Sequence, residues 1–313
     1  MRIAFLGATS QIAKDLTLSF CAQSGHELVL YARRPEAVSQ WLAIVDLPKR
    51  YPVHEFAAFT VTENFDAIFN FVGVGNPAHA ASMGASIFDL TLQFDELALN
   101  YLRIHSKCRY IFLSSGAAYG SNFNTPVDAT SSATIAINHL QPQDWYSVAK
   151  LHAECRHRSL ADMSIVDIRI FNYFSHLQDL EASFIITDIA RSIRDRTVFK
   201  TSADYLVRDF IGPDDFYQLI NSILNSPCMN AVLDCYSKAP IDKPTLLAAM
   251  QAHFDLHYEL VQSSYGVNAT GNKPYYYSVN KHAAEFGYSP TLSSLECLEK
   301  ELRMFMKEND RGK

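Results

Sequence analysis

The sequence lacks the features of a membrane-spanning, secreted or nucleic-acid-binding protein. No apolar run approaches the ~20 residues that a helix needs to cross a bilayer. The segment from Met1 to Gly7 reads as a strand, without the charged, apolar and small-residue progression of a signal peptide. With 27 Lys and Arg against 33 Asp and Glu, no basic run is long enough to follow a phosphate backbone. We therefore expect a cytoplasmic protein with neither a membrane nor a nucleic acid as partner.

Cysteine is scarce and shows no disulfide or metal pattern. The six cysteines are scattered, have no CxxC spacing, and several fall in apolar stretches where Cys behaves as a small hydrophobe. Because the spacing of His and Cys ligands is missing as well, we expect no bound metal. The 313 residues, 48% of them hydrophobic, are enough for one large core or two unequal lobes.

The first half of the chain alternates short apolar runs with helical patterns. Such alternation predicts βαβ units and a parallel sheet. A run such as Ile68 to Val72 is apolar almost throughout, which indicates that both faces of the sheet are covered. The predicted strands are 2–6, 27–32, 54–59, 66–72, 108–114 and 164–170, and the predicted helices are 10–24 and 89–106.

After residue 170 the alternation loosens, which indicates a smaller lobe interleaved with the last strand of the main sheet. No internal repeat or low-complexity segment is present. The predicted elements are a strand at 231–236 and helices near 183–195, 214–225, 243–253 and 293–308.

The turn after the first strand keeps one of the three glycines of a dinucleotide-binding loop. Gly7 permits the tight turn, while Ser10 and Ala13 are small enough for pyrophosphate to approach and for the helix to pack on the strand. An ordinary strand-to-helix turn is the alternative. The predicted phosphate contacts are Gly7, Thr9, Ser10, Gln11 and Ile12.

The second strand ends without the acidic residue that bonds the ribose 2′-hydroxyl of NAD. Arg33 and Arg34 stand there instead, and Arg pairs with the 2′-phosphate of NADP. The pair predicts NADP as cofactor, with NAD and a merely solvated turn as the alternatives.

Two segments are the most specific indication of function in the sequence. They are Phe112 to Gly120, with its Ser-Ser-x-x-x-Tyr-Gly ending, and Trp145 to Lys150, with Tyr and Lys four residues apart. A Tyr-x-x-x-Lys pair alone is more often an ordinary helix face, but its place downstream of that strand end is specific. Together the segments resemble the extended short-chain dehydrogenase/reductase family, an NAD(P)-dependent group that includes the nucleotide-sugar epimerases and dehydratases.

The spacing also has a chemical reason. Residues four apart share a helix face, so Tyr146 and Lys150 can meet one ligand. A phenol has a pKa of ~10, and a nearby ammonium favours its phenolate. Tyr146 is therefore the predicted general acid/base. The resemblance implies that Lys150 holds the nicotinamide ribose and that Ser115 orients the substrate oxygen.

The resemblance has further implications for the cofactor site and the fold. It puts Ser114 and Gly73 near the cofactor, where a core hydroxyl and a turn glycine are the alternatives. It implies a Rossmann-type doubly wound α/β parallel sheet with a smaller, interleaved C-terminal α/β substrate lobe, and a homodimer formed through the helices at 89–106 and 144–161. The expected nucleotide-binding unit is 1–172 with 207–237, and the expected substrate unit is 173–206 with 238–313.

Later segments look like signatures of the nucleotide-sugar branch. They run from Ile168 to Phe174 and from Arg208 to Asp215. The resemblance implies that Arg208 pairs with the substrate diphosphate, with Asn172 beside it, and the guanidinium fork suits two phosphate oxygens. A structural ion pair of Arg208 with Asp209 or Asp214 is the alternative.

A third segment matches the place where that branch often carries an Arg-Pro that closes over the nucleotide. Here it reads Lys273-Pro274, followed by Tyr275, Tyr276 and Tyr277. The three tyrosines would line the same pocket or, alternatively, form interface surface.

Missing residues narrow the reaction. The 4,6-dehydratases of this family place an acidic pair where this chain has Gly116 and Ala117, and the 3,5-epimerase/reductases use a Cys that is absent here, although His176 is kept. Hydride transfer at one carbon remains. The sequence favours NADP(H)-dependent reduction of a nucleotide-linked 4-keto sugar, with a 4-epimerase as the alternative and an NADP-sensing regulatory protein as the non-enzyme alternative.

Overall fold

Seven parallel strands form the central sheet of the computed structural model, which describes residues 1–48, 50–74, 80, 82–182, 184–262 and 273–311. Their order is β11-β6-β5-β4-β1-β2-β3. The strands are β1 Arg2–Leu6, β2 Glu27–Ala32, β3 Val53–Glu55, β4 Ala67–Asn70, β5 Arg109–Ser115, β6 Ile165–Ile170, β7 Asn172–Tyr173, β8 Phe199–Ser202, β9 Val207–Arg208, β10 Phe210–Ile211, β11 Asn230–Asp234, β12 Ile241–Asp242, β13 Tyr258–Val261 and β14 Tyr275–Tyr276. The order reverses between β1 and β4, and ligands of such sheets bind at the carboxyl ends of the strands beside this reversal.

Helices cover both faces of the sheet, as its apolar strands predict. They are α1 Gln11–Gln23, α2 Pro35–Ile44, α3 Ser86–Ile104, α4 Trp145–Ser159, α5 Ile185–Asp195, α6 Pro213–Asn225, α7 Lys243–Phe254 and α8 Ser294–Arg311. Ile3 and Phe5 of β1 belong to the core under α1, α2 and α6, and the alternating Ala4 and Leu6 belong to the core under α3 and α4. The predicted Rossmann-type doubly wound α/β fold is confirmed.

One predicted strand is too long. The strand expected at 54–59 ends at Glu55, and Phe56–Ala58 forms a 3₁₀ helix closed by the Phe59 amide on the Phe56 carbonyl at 3.0 Å. Phe56 and Phe59 both pack into the core under α3. Residues three apart point to opposite faces of a strand, so only a turn brings both rings to the same side.

The second lobe has its own core and three small sheets. Residues of α5, α7 and α8 form this core with Phe174, Phe199 and Phe210. Strand β9 pairs with β12 and β14, β10 pairs with β7, and β8 pairs with β13. Arg208 of β9 and Tyr276 of β14 are direct partners in register. No helix in the described ranges is both long and apolar enough to cross a membrane.

A buried histidine between two carboxylates fixes α4 to its neighbours. His157 Nδ1 lies 2.6 Å from Asp167 on β6, and its Nε2 lies 2.6 Å from Asp95 on α3. All three side chains are fully buried. Burial lowers the pKa of His157, but its hydrogen bonds to Asp167 and Asp95 outweigh burial and raise the pKa to about 9. A charged imidazole therefore holds the helix that carries Tyr146 and Lys150.

We expect the free energy of unfolding to fall as the pH rises from 6.5 to about 9. Folded His157 keeps a proton that the unfolded chain releases above its ordinary pKa, so this stabilisation is complete below pH 6.5 and is lost as the pH passes the folded value. Urea unfolding across this range would measure the decline. The His157→Gln variant should show a flatter dependence, and an unchanged slope in it would assign the decline to other groups.

Candidate active site

The loop after β1 can hold only glycine at position 7. Gly7 has φ +89°, and a Cβ there would lie 2.9 Å from the Val72 amide nitrogen. The amides of Gly7 and Ala8 both donate to the Tyr31 carbonyl, at 2.9 and 3.0 Å. The chain thus turns tightly over the carboxyl ends of β2 and β4, and α1 begins directly above the sheet.

The start of α1 presents free backbone donors. The amides of Gln11, Ile12 and Ala13 lie in the first turn, where a helix offers them no acceptor, and no other backbone acceptor for them occurs in the described chain. The turn has no acidic residue, and the Ser10 side chain makes no capping hydrogen bond. Such a turn suits an anionic pyrophosphate, so the predicted loop residues fit a dinucleotide.

We expect Gly7→Ala to destabilise the protein and to weaken dinucleotide binding. The added methyl group would collide with backbone atoms at about 3 Å in a conformation that alanine rarely adopts. A loss of about 1–3 kcal/mol in the free energy of unfolding is the expected scale. Gly25→Ala is the matched control, because a Cβ at Gly25 meets nothing within 4 Å. Equal unfolding midpoints for the two variants would contradict the steric argument.

The three predicted catalytic residues come together at the carboxyl edge of the sheet. Ser115 ends β5, and Tyr146 and Lys150 lie on successive turns of α4. The Lys150 ammonium donates to the Leu113 carbonyl at 2.6 Å and lies 5.9 Å from the Tyr146 ring centroid. A Cβ at Gly73 would lie 3.6 Å from Lys150 Nζ, so the end of β4 borders the same place.

Burial sets the protonation of this group. It raises the pKa of Tyr146, and the hydrogen bond from Ser115 opposes the rise. It lowers the pKa of Lys150 to about 8, with Glu154, Asp167 and Asp95 opposing. Lys150 therefore stays mostly protonated at neutral pH, and its ammonium can stabilise a phenolate at Tyr146.

Ser114 points away from this group. Its buried hydroxyl donates to Glu154 at 2.5 Å. The Arg169 guanidinium donates to both oxygens of the same carboxylate, at 3.0 and 2.5 Å. Consecutive strand residues face opposite sides of the sheet, so the hydroxyls of Ser114 and Ser115 point in different directions. The predicted place of Ser114 near the cofactor stays a prediction. Glu154 lies one helical turn after Lys150, and its charge raises the pKa of Lys150 against the effect of burial; no sequence pattern points to it.

Arg208 and Lys273 are neighbouring cations that have no ion-pair partner within the described residues. Burial lowers the pKa of Arg208 to about 10, and Tyr276 opposes this effect. Burial lowers the pKa of Lys273 to about 8; the charge of Arg208 adds to this effect, and Asp144 opposes it. Arg208 donates to the carbonyls of Val207 and Lys273, both at 2.8 Å. Repelling, half-buried cations of this kind suit an anionic ligand.

The expected alternative of a structural ion pair for Arg208 is not found. Asp209 accepts hydrogen bonds from Ser237 and Ser294, and Asp214 pairs with Lys300. Within the ranges that the structure describes, no carboxylate is paired with Arg208 or Lys273.

Asn172 lies on β7, and its amide group donates to the Asp209 carbonyl at 3.0 Å. Within the described residues, no donor is hydrogen-bonded to its side-chain oxygen. Arg33 and Arg34 are exposed at the carboxyl end of β2. The binding roles of these three residues stay predictions.

Position 116, where the resemblance places a dehydratase acid, lies against Phe171. A Cβ at Gly116 would lie 2.3 Å from the Phe171 ring, so any side chain there would require the ring to move. The packing of Phe171 therefore favours glycine at this position.

Tyr276 links the catalytic hydroxyls to the cations. Its side chain is 8% exposed, and its hydroxyl lies 3.3 Å from Ser115 Oγ. Its ring centroid is 5.0 Å from Lys273 Nζ and 5.9 Å from Arg208 Cζ. This burial favours the pocket-wall expectation for Tyr276 over the interface one, and its role stays a prediction.

Residues 3–231 match the model of the NAD dependent epimerase/dehydratase family. The chain belongs to this family. It is therefore an enzyme of the extended short-chain dehydrogenase/reductase group rather than a regulatory protein. In its described part, no three His, Cys, Asp or Glu side chains are arranged to hold a metal ion.

Solved structures similar over the whole chain include three 4-epimerases. The UDP-glucuronic acid 4-epimerase from Bacillus cereus, solved with UDP-glucuronic acid and NAD, is 15% identical, with a TM-score of 0.77 and coverage of 99% of this chain and 100% of that one. The UDP-glucose 4-epimerase from Thermotoga maritima is 16% identical, with a TM-score of 0.78 and the same coverage.

The third is the UDP-N-acetylglucosamine 4-epimerase from Methanobrevibacter ruminantium M1. It is 14% identical, with a TM-score of 0.80 and coverage of 100% and 99%. At these identities the similarity establishes the fold alone. A search of curated protein sequences finds no significant match.

Proposed function

We propose that this protein is a nucleotide-sugar 4-epimerase. The carrying observation is that Tyr276 joins two groups: its hydroxyl lies 3.3 Å from Ser115 Oγ, and its ring centroid lies 5.0 Å from Lys273 Nζ and 5.9 Å from Arg208 Cζ. A sugar at the hydroxyls with its diphosphate at the cations spans this arrangement. The similar solved structures named above are 4-epimerases, which supports putting epimerisation before reduction and so reverses the order that the sequence favours.

The residues of the cofactor cleft suit a nicotinamide dinucleotide. The amides of Gln11, Ile12 and Ala13 would hold its pyrophosphate, and Gly73 leaves room for its ribose beside Lys150. A bound nicotinamide would supply a reversible hydride acceptor for C4 of the sugar.

The protein side of the reaction needs one acid/base. Tyr146, as phenolate, takes the proton of the C4 hydroxyl while the C4 hydride leaves, and it returns that proton when the carbonyl is reduced. The Lys150 ammonium stabilises the phenolate, and Ser115 donates a hydrogen bond to the same sugar oxygen. Between the two steps the sugar turns its other face while Arg208 and Lys273 retain the diphosphate.

The division of labour between the lobes follows from this proposal. Residues 1–172 and 207–237 would bind the dinucleotide, and 173–206 and 238–313 would bind the nucleotide sugar. The cofactor and substrate sites then meet at Ser115.

Reduction of a 4-keto sugar by NADPH is the second candidate. It is favoured by Arg33 and Arg34, since a cofactor that is exchanged in each cycle is more usually NADPH. Both functions use the same catalytic hydroxyls and differ in whether the cofactor is consumed.

A substrate panel separates the two candidates. UDP- and dTDP-hexoses and their 4-keto derivatives would be incubated with the full-length protein and each of NAD, NADP and NADPH, with absorbance at 340 nm and product stereochemistry by NMR as readouts. An inverted C4 centre without net cofactor change supports the epimerase. Stoichiometric NADPH oxidation supports the reductase, and no change at C4 in any sample overturns both.

The choice of dinucleotide has its own test. We propose NADP as the preferred cofactor and expect the double change Arg33→Ala and Arg34→Ala to weaken NADP binding by about 10–100-fold, the scale of lost charged hydrogen bonds. NAD has no 2′-phosphate, so its affinity serves as the internal control. Calorimetry with both dinucleotides measures the difference, and an equal loss for NAD and NADP would refute a phosphate contact.

We also propose a cytoplasmic homodimer that pairs through α3 and α4, where Leu92 and Cys155 are exposed. Light scattering of the purified protein reports the mass directly. A monomer at micromolar concentration would remove this proposal.

A further inference from the structure

The surroundings of Ser115 Oγ restrict where its proton can point. The Ala117 amide donates to this oxygen at 3.1 Å, and the Tyr276 hydroxyl lies 3.3 Å from it. A serine hydroxyl has one proton to donate and two lone pairs to accept with. If both neighbours donate, the serine proton is left for a third group.

Tyr276 is the donor of its pair for two reasons. Burial raises the pKa of Tyr276, so its phenol stays neutral and keeps its proton, and a phenol is a stronger acid than an alcohol. The phenolic proton therefore points to Ser115.

We propose that Tyr276 is a positioning residue of the reaction, which fills the second lone pair of Ser115 and so directs the serine proton to Tyr146 and to the sugar oxygen between them. The proposal rests on the proposed function, in which Tyr146 is the acid/base. In this proposal Tyr276 helps to set the pKa of Tyr146. It acts through Ser115, which stays neutral.

The packing of Tyr276 supports such a role. Its ring packs against those of Phe123 and Phe171, at 4.8 Å and 5.3 Å centroid to centroid, so aromatic contacts fix the orientation of the phenol. Its strand partner is Arg208. The same small sheet therefore sets both the anion site and the orientation of Ser115.

The charged and titratable surroundings of Tyr146 include Lys150 from its own helix and Tyr276 from β14, with Arg208 and Lys273 behind Tyr276. Tyr146 also packs with apolar side chains from its own helix, from α3 and from the segment before α3. The neutral hydrogen bond from Ser115 is therefore able to move the acidity of Tyr146 measurably.

The test is Tyr276→Phe, which keeps the ring and removes the donor. We expect kcat to fall about 10-fold at neutral pH with KM within about threefold, and the acid limb of the kcat profile to move up by about one pH unit. Relative to the wild type, the deficit should narrow as the pH rises. Tyr217→Phe is the control, since Tyr217 of α6 packs against the core under α1, on the other face of the sheet.

A second background checks the route through the serine. In Ser115→Ala, the further change Tyr276→Phe should cost nothing more, because the relay is already broken. Additive losses would overturn the proposal. So would a raised KM with kcat unchanged, which would make Tyr276 a ligand contact instead.

A readout without turnover separates this inference from the proposed function. With ¹³Cζ-tyrosine in the full-length protein, the Tyr146 signal is identified by its loss in Tyr146→Phe, and its titration midpoint should be higher in Tyr276→Phe than in the wild type. An unchanged midpoint overturns the inference even if the enzyme epimerises sugars. A shifted midpoint in a protein that turns over no nucleotide sugar supports the inference and overturns the proposed function alone.

Discussion

Tyr146→Phe should lower kcat by about 10²–10⁴-fold and leave dinucleotide affinity within about threefold of the wild type. The change removes one oxygen, the atom that takes and returns the proton of the sugar hydroxyl. The ring stays packed against Ala149 and Ile87, and Lys150 keeps its bond to the Leu113 carbonyl, so the cofactor cleft is preserved. Single-turnover rates with the active nucleotide sugar, together with calorimetry of the dinucleotide, measure the two quantities separately.

A control for this prediction lies on the other face of the sheet. Tyr217 of α6 packs against the core under α1, so Tyr217→Phe removes a phenol far from the reaction and should leave kcat unchanged. Residual turnover of Tyr146→Phe within tenfold of the wild type would mean that another group transfers the proton.

Arg208→Met should raise KM for the nucleotide sugar by about 10–100-fold while kcat changes by no more than about threefold. A hydrogen bond between charged groups contributes about 1.5–3 kcal/mol, and the diphosphate lies away from the carbon that reacts. Removal of its contact therefore weakens ground state and transition state alike. Initial-rate kinetics over a wide range of substrate concentration resolve KM from kcat.

The apoprotein gives an independent readout for the same variant. Arg208 is half-buried beside Lys273 without an ion-pair partner in the described ranges, so methionine should leave the free energy of unfolding equal or higher. Arg194→Met is the matched control, because Arg194 is an α5 arginine paired with Asp195 at the surface. Normal affinity together with lower stability in Arg208→Met would assign Arg208 a structural role instead.

Elements with one strong local pattern could be predicted from the sequence. The strands at 2–6 and 27–32 have the predicted bounds because continuous apolar runs must be buried on both faces. The strand at 54–59 does not, because Phe56 and Phe59 fit a strand or a turn equally well until the core of α3 requires both rings on one side. The pattern of apolar residues predicts the element type only where the tertiary packing allows a single type.

In the candidate site, too, local spacing could be predicted from the sequence and contacts between distant residues could not. Tyr146 and Lys150 could be predicted because four residues separate them on one helix. The contacts that tune them join distant parts of the chain: 62 residues separate His157 from Asp95, and 161 separate Ser115 from Tyr276. The orientation of Ser114 toward Glu154 likewise depends on which face of β5 meets α4. No local pattern records these pairings.

The contact between Gly116 and Phe171 also constrains how this enzyme can change. A carboxylate at position 116 would be the first step toward water elimination, but the ring 2.3 Å from the new Cβ blocks it. Shrinking Phe171 first would open a cavity beside Tyr276 and loosen its hold on Ser115. We therefore expect each substitution alone to lower stability or activity. A library aimed at that chemistry should vary both positions at once, because residues in contact are energetically coupled.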